Sequence, residues 1–347
     1  MPTTIVVGGQ YGSEGKGKVV ATLAKRAAEP WVVRCGGPNS GHTINWKGEQ
    51  LVLRQVPSGV VNDASILLVG AGAVLDEEIL LAELDLLGIP RNRIVVDPMA
   101  CLTSPTDRAA EEDLYELIAS TGSGTGAALV RRMQRRAPWH LAENSSLDSR
   151  VRVEKVAPLL HEAQQRKATI IVEGTQGFGL SLLHGLRYPF VTARDTTASA
   201  FASEVGLSPR MIDHVTMVLR TFPIRVGGNS GPLDREISWS EVQRLGGAPR
   251  ELPELTSVTK RVRRVAHFDM GEVVRAVNYN APTELALMGA DRLNHDDSGI
   301  RSWSQLSDVS QGFVRSLEET TGTPVRFVGT GFDMDDVICE VPRVDRR

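Results

Sequence analysis

The sequence predicts an α/β fold, with a largely parallel central sheet flanked by helices and a P-loop-like phosphate site at its start. Three observations carry that expectation. Strand-like and helix-like runs alternate along nearly all 347 residues, as βα units around a parallel sheet require. The stretch 3–20, TTIVVGGQYGSEGKGKVV, reads as strand, glycine loop and helix. The remaining polar and glycine-rich motifs fall at the ends of strand-like runs, where open α/β sheets bind ligands.

The first unit opens with the β-branched run Ile5-Val6-Val7. Gly8, Gly9, Gly12, Gly15 and Gly17 let backbone N–H groups approach an anion, and the helix that follows adds partial positive charge. Gly12 to Lys18 fits G-x-x-x-x-G-K, with Lys16 and Lys18 as the cations. Val19 stands where a P-loop has the hydroxyl that holds Mg²⁺, so a plain kinase or GTPase is disfavoured. An ordinary glycine turn before a helix is the bland alternative.

Further along, Val32–Val33, Gln50–Val56 and Ile66–Val69 read as strands. Leu75–Leu87 reads as an apolar helix entered through Asp76-Glu77-Glu78, acids that suit a helix N-terminus. Arg93–Val96 is a strand and Thr106–Ala119 a helix. A second glycine loop, Gly122–Gly126, precedes a basic helix at Ala127–Arg136. Val156–Lys167 is helical, Ala168–Val172 is an apolar strand, and Thr196–Val205 is a helix of small residues. His214–Val226 reads as a long strand or bent hairpin arm. Glu272–Tyr279 and Trp303–Thr320 read as helices, and Glu284–Met288, Val325–Val328 and Val337–Val341 as strands. No repeat, low-complexity tract or linker intervenes, and loops 228–232 and 246–253 read as insertions. Residues 1–347 are therefore expected to form a single domain.

Composition narrows the function. With 41% hydrophobic and 23% charged residues the chain has the make-up of a globular protein. A net charge of −3 offers no basic field for a nucleic-acid backbone, so a small substrate is expected and no nucleic-acid partner. Cys35, Cys101 and Cys339 are far apart and follow no metal spacing, which fits a reducing compartment. No run approaches ~20 apolar residues, so no membrane partner is expected. The N-terminus runs directly into a strand and leaves no room for a signal peptide, so a cytoplasmic protein is expected, of a cell or of a virus's host.

Several loops offer chemistry. Gly36–Thr43 reads GGPNSGHT and gathers Asn39, Ser40, Gly41 and His42 with almost no apolar content. A histidine there suits a general acid or a group that stabilises charge on a transferring oxygen. A surface histidine in a turn is the alternative. Ser120–Gly126 reads STGSGTG and is followed by Arg131, Arg132, Arg135 and Arg136. Hydroxyls and guanidinium forks suit a monoester phosphate, whereas a solvated basic helix face is the rival reading. Val172–Gly177 reads VEGTQG and offers Glu173 and Gln176 to a ligand amide or hydroxyl. Thr256–Arg264 reads TSVTKRVRR, a cationic and hydroxyl-rich loop suited to a dicarboxylate such as aspartate. Gly289-Ala290-Asp291 and Gly329-Thr330-Gly331 each end a strand, and Asp291 can accept from a purine amino group.

In order and spacing the motifs GGQYGSEGKGKVV, GGPNSGHT, STGSGTG with Arg135, VEGTQG, HGLRYPFVT, RDTTA, SVTKRVRR and VGTGFD resemble the adenylosuccinate synthetase family along nearly the whole chain. The length is similar to that of its compact archaeal and viral members. The resemblance implies that fold and a Mg²⁺-dependent ligation of L-aspartate to the purine 6-position, driven by a nucleoside triphosphate. The 6-oxygen is phosphorylated first, and the aspartate amino group then displaces phosphate. It implies catalytic roles for Ser13 and His42, with His42 as the acid, and metal contacts from Ser13 and the Gly41 carbonyl. The triphosphate is implied to meet Ser13, Glu14, Gly15, Lys16, Gly17, Lys18, Gly41, His42, Thr43, Arg263, Asp291, Gly329, Thr330 and Gly331. The purine monophosphate is implied to meet Ser13, Asn39, Ser40, Thr121, Gln176, Thr192 and Arg135, the last reaching in from the second subunit of a homodimer. Val258, Thr259, Arg261 and Arg263 fall on the aspartate loop.

Three departures from the family pattern are informative. Ser13 stands where the family has a carboxylate that takes the N1 proton and touches Mg²⁺. A hydroxyl is a poor base and a weaker metal ligand, yet it leaves space beside the purine 2-position for an amino group. In this Ser13 resembles the viral branch that uses dGMP in place of IMP and makes N6-succino-2-amino-2′-deoxyadenylate. Gly289 stands where the GTP-reading loop has Lys, which implies ATP or dATP rather than GTP. Lys260 and Val262 replace Gly and Arg in the aspartate loop. An ordinary synthetase acting on IMP with GTP is the runner-up. A nucleotide-dependent switch ATPase is a third reading, which accounts for the first loop alone.

Overall fold

In the computed structural model, which describes residues 2–256, 261–339 and 341–342, β1 (Thr3–Gly8) is buried at every position. Such a strand, apolar on both faces, belongs in the middle of a sheet covered on both sides. The other strands of the chain's main sheet and its side hairpin follow as β2 (Trp31–Arg34), β3 (His42–Trp46), β4 (Glu49–Leu53), β5 (Ile66–Val69), β6 (Ile94–Val96), β7 (Arg152–Val153), β8 (Ile170–Glu173), β9 (His214–Arg220), β10 (Glu284–Met288), β11 (Val325–Gly329) and β12 (Val337–Ile338). Ten of these form one sheet in the order β12-β11-β10-β9-β1-β8-β2-β5-β6-β7. Every pairing is parallel except the edge pair β11–β12.

Long helices cover the sheet: α1 (Lys16–Arg26), α2 (Glu77–Leu87), α3 (Thr125–Gln134), α4 (Val156–Gln165), α5 (Ala198–Val205), α6 (Met270–Asn280) and α7 (Asp308–Thr321). The pleat sorts the core. Ile5 and Val7 face Val156, Leu160, Phe201, Val273 and Val314 from α4, α5, α6 and α7. Val6 turns the other way, onto Val19, Val20 and Ala24 of α1. Asp76 caps α2 by accepting from the Ile79 N–H, as the acidic entry predicts.

Several boundaries differ from the sequence expectation. Gln50–Val56 does not join the main sheet. Its observed strand, β4, pairs antiparallel with β3 through the turn Lys47-Gly48, where φ is 53° and 80°. Two successive positive φ values make the tight hairpin turn that matches strand twist. His42 therefore opens a strand rather than sitting in a loop. The long arm His214–Val226 breaks after Arg220 because Pro223 cannot donate to a ladder. Ile224–Arg225 belongs instead to a small antiparallel sheet with Arg264–Ala266 and Glu236–Ile237. Thr106–Ala119 splits into the short helices Pro105–Ala109 and Leu114–Ile118. The split frees Glu111, whose carboxylate binds the second glycine loop.

Candidate active site

The carboxyl ends of the central strands carry the loops that meet in one cleft. Directly after β1, the glycine loop leads into α1, with Gly15 as its left-handed entry residue (φ 103°). Gly17 admits no side chain, since a Cβ there would lie 2.7 Å from the Cβ of His42. This close approach places the hairpin start against the helix N-terminus. Glu14 is fully buried: its Oε1 accepts from the Gly12 N–H at 2.8 Å, and its Oε2 accepts from Lys16 Nζ at 2.5 Å. Its carboxylate is thus the loop's own anion and counters Lys16, so an incoming phosphate would compete with it for that cation. Lys18 donates to the Gly331 and Asp336 carbonyls, which ties α1 to the loop after β11. Burial lowers its pKa to about 8 against the pull of Asp336, Asp291 and Asp333.

Behind the loop lies a buried charge cluster. His42 Nδ1 is in hydrogen-bond contact with Glu173 Oε1 and 3.1 Å from an Arg34 nitrogen. Arg34 also donates to Glu173 at 2.8 Å, and Ser58 donates through its backbone N–H and its hydroxyl. Burial would raise the Glu173 pKa, but Arg34, His42 and Ser58 hold it at about 2. Burial and the Arg34 charge lower His42 to about 4. An ionised Glu173 requires the proton of a neutral His42 to sit on Nδ1, which leaves Nε2 as a bare acceptor. Nε2 is buried and has no hydrogen-bond partner within the chain. To act as the acid that the resemblance implies, His42 has to gain a proton at Nε2. Glu173 does not face a ligand amide or hydroxyl, as its strand-end position suggested, but orients His42.

Two cavities meet at this point. A cleft of 550 Å³ is lined by Ser13, Glu14, Gly15, Lys16, Gly17, Lys18, Gly41, His42, Thr43, Arg263, Asp291, Gly329 and Gly331. These are the residues assigned to a triphosphate from the resemblance, except Thr330. The Thr330 side chain is fully buried and donates to the Ile300 carbonyl, so its hydroxyl is turned away from the cleft. A smaller cavity of 110 Å³ is lined by Ser13, Asn39, Ser40, Thr121, Gln176, Arg261 and Arg263, among others. Thr192 stands behind it, 3.4 Å from Asn39 Nδ2. Ser13, Lys16, Gly41, His42 and Arg263 line both. A group bridging the cavities would pass between Ser13 and His42. Burial lowers Arg263 to about 10, opposed by Glu254. Val258 and Thr259 lie outside the described residues.

The second glycine loop departs from expectation. The N–H groups of Gly124, Gly126 and Ala127, at the start of α3, already donate to Glu111. That helix N-terminus therefore holds a protein carboxylate, and the loop offers the smaller cavity Ser120 and Thr121 instead. Of the arginines that follow, Arg131 pairs with Asp107 at 2.8 Å and Arg132 donates to the Ala71 carbonyl. Arg135 is exposed and lines neither cavity; it borders a separate groove with Arg136 and Trp139. Sequence reasoning missed Arg34, Ser58, Glu111, Arg220 and Glu254. Arg34 carried a usable signal, being a cation at the end of a buried strand just before GGPNSGHT. Glu111 carried none.

Mg²⁺ takes oxygen ligands, keeps several waters and shares phosphate oxygens, so it needs few protein donors. Among the described residues there is no group of three or more His, Cys, Asp or Glu arranged to hold a metal. Ser13 and Gly41, which line both cavities, are oxygen donors of the right class at the mouth of the triphosphate cleft, and they fit an ion that arrives with its nucleotide.

Comparisons with known proteins bear on the family and the fold. The family model for adenylosuccinate synthetase matches residues 5–152 and 140–298. An adenylosuccinate synthetase of Methanocaldococcus jannaschii is 36% identical over 342 residues, covering 96% of both chains. One of Thermococcus sibiricus is 37% identical over 344 residues, covering 97% of this chain and 98% of the other. Among solved structures, cyanophage S-2L succinoaminodeoxyadenylate synthetase (PurZ), bound to dGMP and to dATP as an energy donor, is 27% identical. It has a TM-score of 0.82 and covers 98% of this chain and 96% of its own. The fully ligated adenylosuccinate synthetase of Plasmodium falciparum shares the fold at a TM-score of 0.86 and 18% identity, covering 98% and 100%. With its family model, its archaeal relatives and its fold in accord, this chain belongs to the adenylosuccinate synthetase family of ligases that form a C–N bond.

Proposed function

We propose that this ligase joins L-aspartate to the 6-position of dGMP at the expense of ATP or dATP and with Mg²⁺, giving N6-succino-2-amino-2′-deoxyadenylate, the nucleoside diphosphate and phosphate. The observation that carries the reading is Ser13, a small hydroxyl at the junction of the two cavities where the family has a carboxylate. A 2-amino group on the purine meets an oxygen there rather than a larger acid. The phage enzyme named for dGMP and dATP lends support at 27% identity. Gly289, with φ 87°, contributes no side chain beside Asp291, which is consistent with an adenine base in the larger cleft.

In this reading the triphosphate lies along the first loop and α1, and the monophosphate fills the smaller cavity. Ser13 and the Gly41 carbonyl would hold Mg²⁺, which would supply positive charge against the phosphoryl oxygens. His42 takes a proton from solvent water in the cleft as the terminal phosphoryl comes to rest beside Nε2, because that negative charge raises the imidazole pKa and Glu173 balances the imidazolium. The protonated ring then donates to the oxygen that carries the transferring group. Arg261 and Arg263 hold the aspartate carboxylates. Arg135 belongs to the site of a second copy. Its groove includes Met99 and Trp139, which are 41% and 60% exposed, as a face covered in a homodimer would be in one chain.

The archaeal relatives, at 36–37% identity, favour a second reading, an ordinary synthetase acting on IMP with GTP. Ser13→Asp separates the two. Aspartate tolerates the left-handed backbone at this position, so the variant folds. The ratio of kcat/KM for dGMP to that for IMP should fall by about tenfold or more, the scale of one lost or gained buried contact. An unchanged ratio would remove Ser13 as the selector.

A further inference from the structure

We infer that Arg220 is a positioning residue that fixes Ser13 between the two substrate cavities. Arg220 ends β9, and its backbone is clamped by the first loop: Gln10 Nε2 donates to the Arg220 carbonyl at 3.1 Å, and the Arg220 N–H donates to Gln10 Oε1 at 2.8 Å. From that fixed base one guanidinium nitrogen donates to the Ser13 carbonyl at 3.0 Å. The other donates to Glu254. Glu254 is further surrounded by cations, with Arg292 at 3.9 Å, and Arg292 in turn lies 3.6 Å from Asp291.

Ser13 needs such a tether. Its φ is 55°, in the left-handed region that a serine occupies at a cost. The neighbouring positions are held otherwise, since Gln10 and Gly12 donate to Glu14. The Ser13 carbonyl is the part of the loop that Arg220 holds. Without that bond the residue would relax toward an ordinary backbone conformation, and its hydroxyl would leave the junction of the cavities. Arg220 lines the larger cleft but not the smaller one, so an effect on the purine monophosphate is indirect. It runs through Ser13 or through Glu254, whose carbonyl accepts from the Arg263 N–H at 2.8 Å, and the glycine background separates the two. A planar fork suits this task, because it satisfies Ser13 and Glu254 together, whereas lysine can serve one of them.

The inference rests on the reading that the smaller cavity takes the purine monophosphate, and the test keeps the two apart. Arg220→Met is combined with Ser13→Ala, which keeps the backbone demand, and with Ser13→Gly, which removes it because glycine adopts positive φ freely. Binding of dGMP and of IMP is measured by calorimetry, and thermal melting is followed in parallel. Arg220→Met should weaken monophosphate binding about tenfold with Ser or Ala at position 13, and less than about twofold with Gly. Arg220→Lys should fall between. The melting temperature should show the same non-additivity without any substrate. Equal losses in the Ala and Gly backgrounds, in binding and in melting, would overturn the inference and make Arg220 a packing or direct-contact residue. If neither nucleotide binds the unaltered enzyme, the functional reading fails while the melting cycle still decides the role of Arg220.

Discussion

His42 is buried against an ionised carboxylate and a guanidinium, and its charge follows from the sum of the three. Its pKa of about 4 lies below the unperturbed 6.5, so the unfolded chain takes up the proton first. The stability this gives is fully present above pH 6.5 and is lost as pH falls from there through 4. Glu173, depressed to about 2, loses its own contribution later, as pH falls below its ordinary 4.5. His42→Asn should therefore flatten the decline of the urea midpoint between pH 6.5 and 4. It should also cut ligation by about a hundredfold or more, the range of a lost general acid, and leave triphosphate binding largely intact. Glu173→Gln keeps the ring in place but withdraws the charge that balances an imidazolium. It should lower kcat more than it raises KM and move the basic limb of the pH–rate profile to lower pH. A limb that does not move would mean that His42 works without gaining a proton. None of this was legible at position 42 itself, because the groups that decide it, Arg34, Ser58 and Glu173, lie on other segments.

At the scale of elements, α3 presents its two ends to different surroundings. Its N-terminus is occupied by Glu111, so the phosphate-like signature STGSGTG is a glycine turn wrapped on a carboxylate. Its C-terminus ends at Arg135 in the left-handed region (φ 57°), which swings that side chain away from both cavities of its own chain. In the proposed homodimer such an arginine completes the site of the second copy. Arg135→Ala should raise the KM for the purine monophosphate. Mixing it with His42→Asn protein should restore part of the activity, because hybrid dimers hold one site with both residues intact. Absence of rescue would confine Arg135 to its own groove. The motif around α3 was visible in the sequence, but what occupied its amides was not: Glu111 sits in a run that reads as one continuous helix.

On the scale of the whole molecule, the alternation of βα units predicted the parallel sheet because each buried strand is apolar on both faces and each covering helix on one. The strands from Ile5-Val6-Val7 to Val325–Val328 lie where their composition places them. The misplacements came at β3–β4 and after Arg220, where a two-residue turn and a proline redirect strand-forming residues into side sheets. Such rerouting depends on partners distant in sequence. The site was more legible than the side sheets, since its residues cluster at strand ends. The strand order brings β1, β8 and β9 side by side, so that Ser13, His42 and Arg220 share one cleft, with Glu173 buried behind His42. In the proposed reading, the Ser13 hydroxyl at the junction of the two cavities selects the purine. The measurement that tests this most directly is phosphate release with ATP, Mg²⁺ and L-aspartate, with dGMP and IMP compared in parallel. Aspartate-dependent release with dGMP and not with IMP is the predicted result. Release with IMP alone would contradict the account and return the enzyme to ordinary adenylosuccinate synthesis.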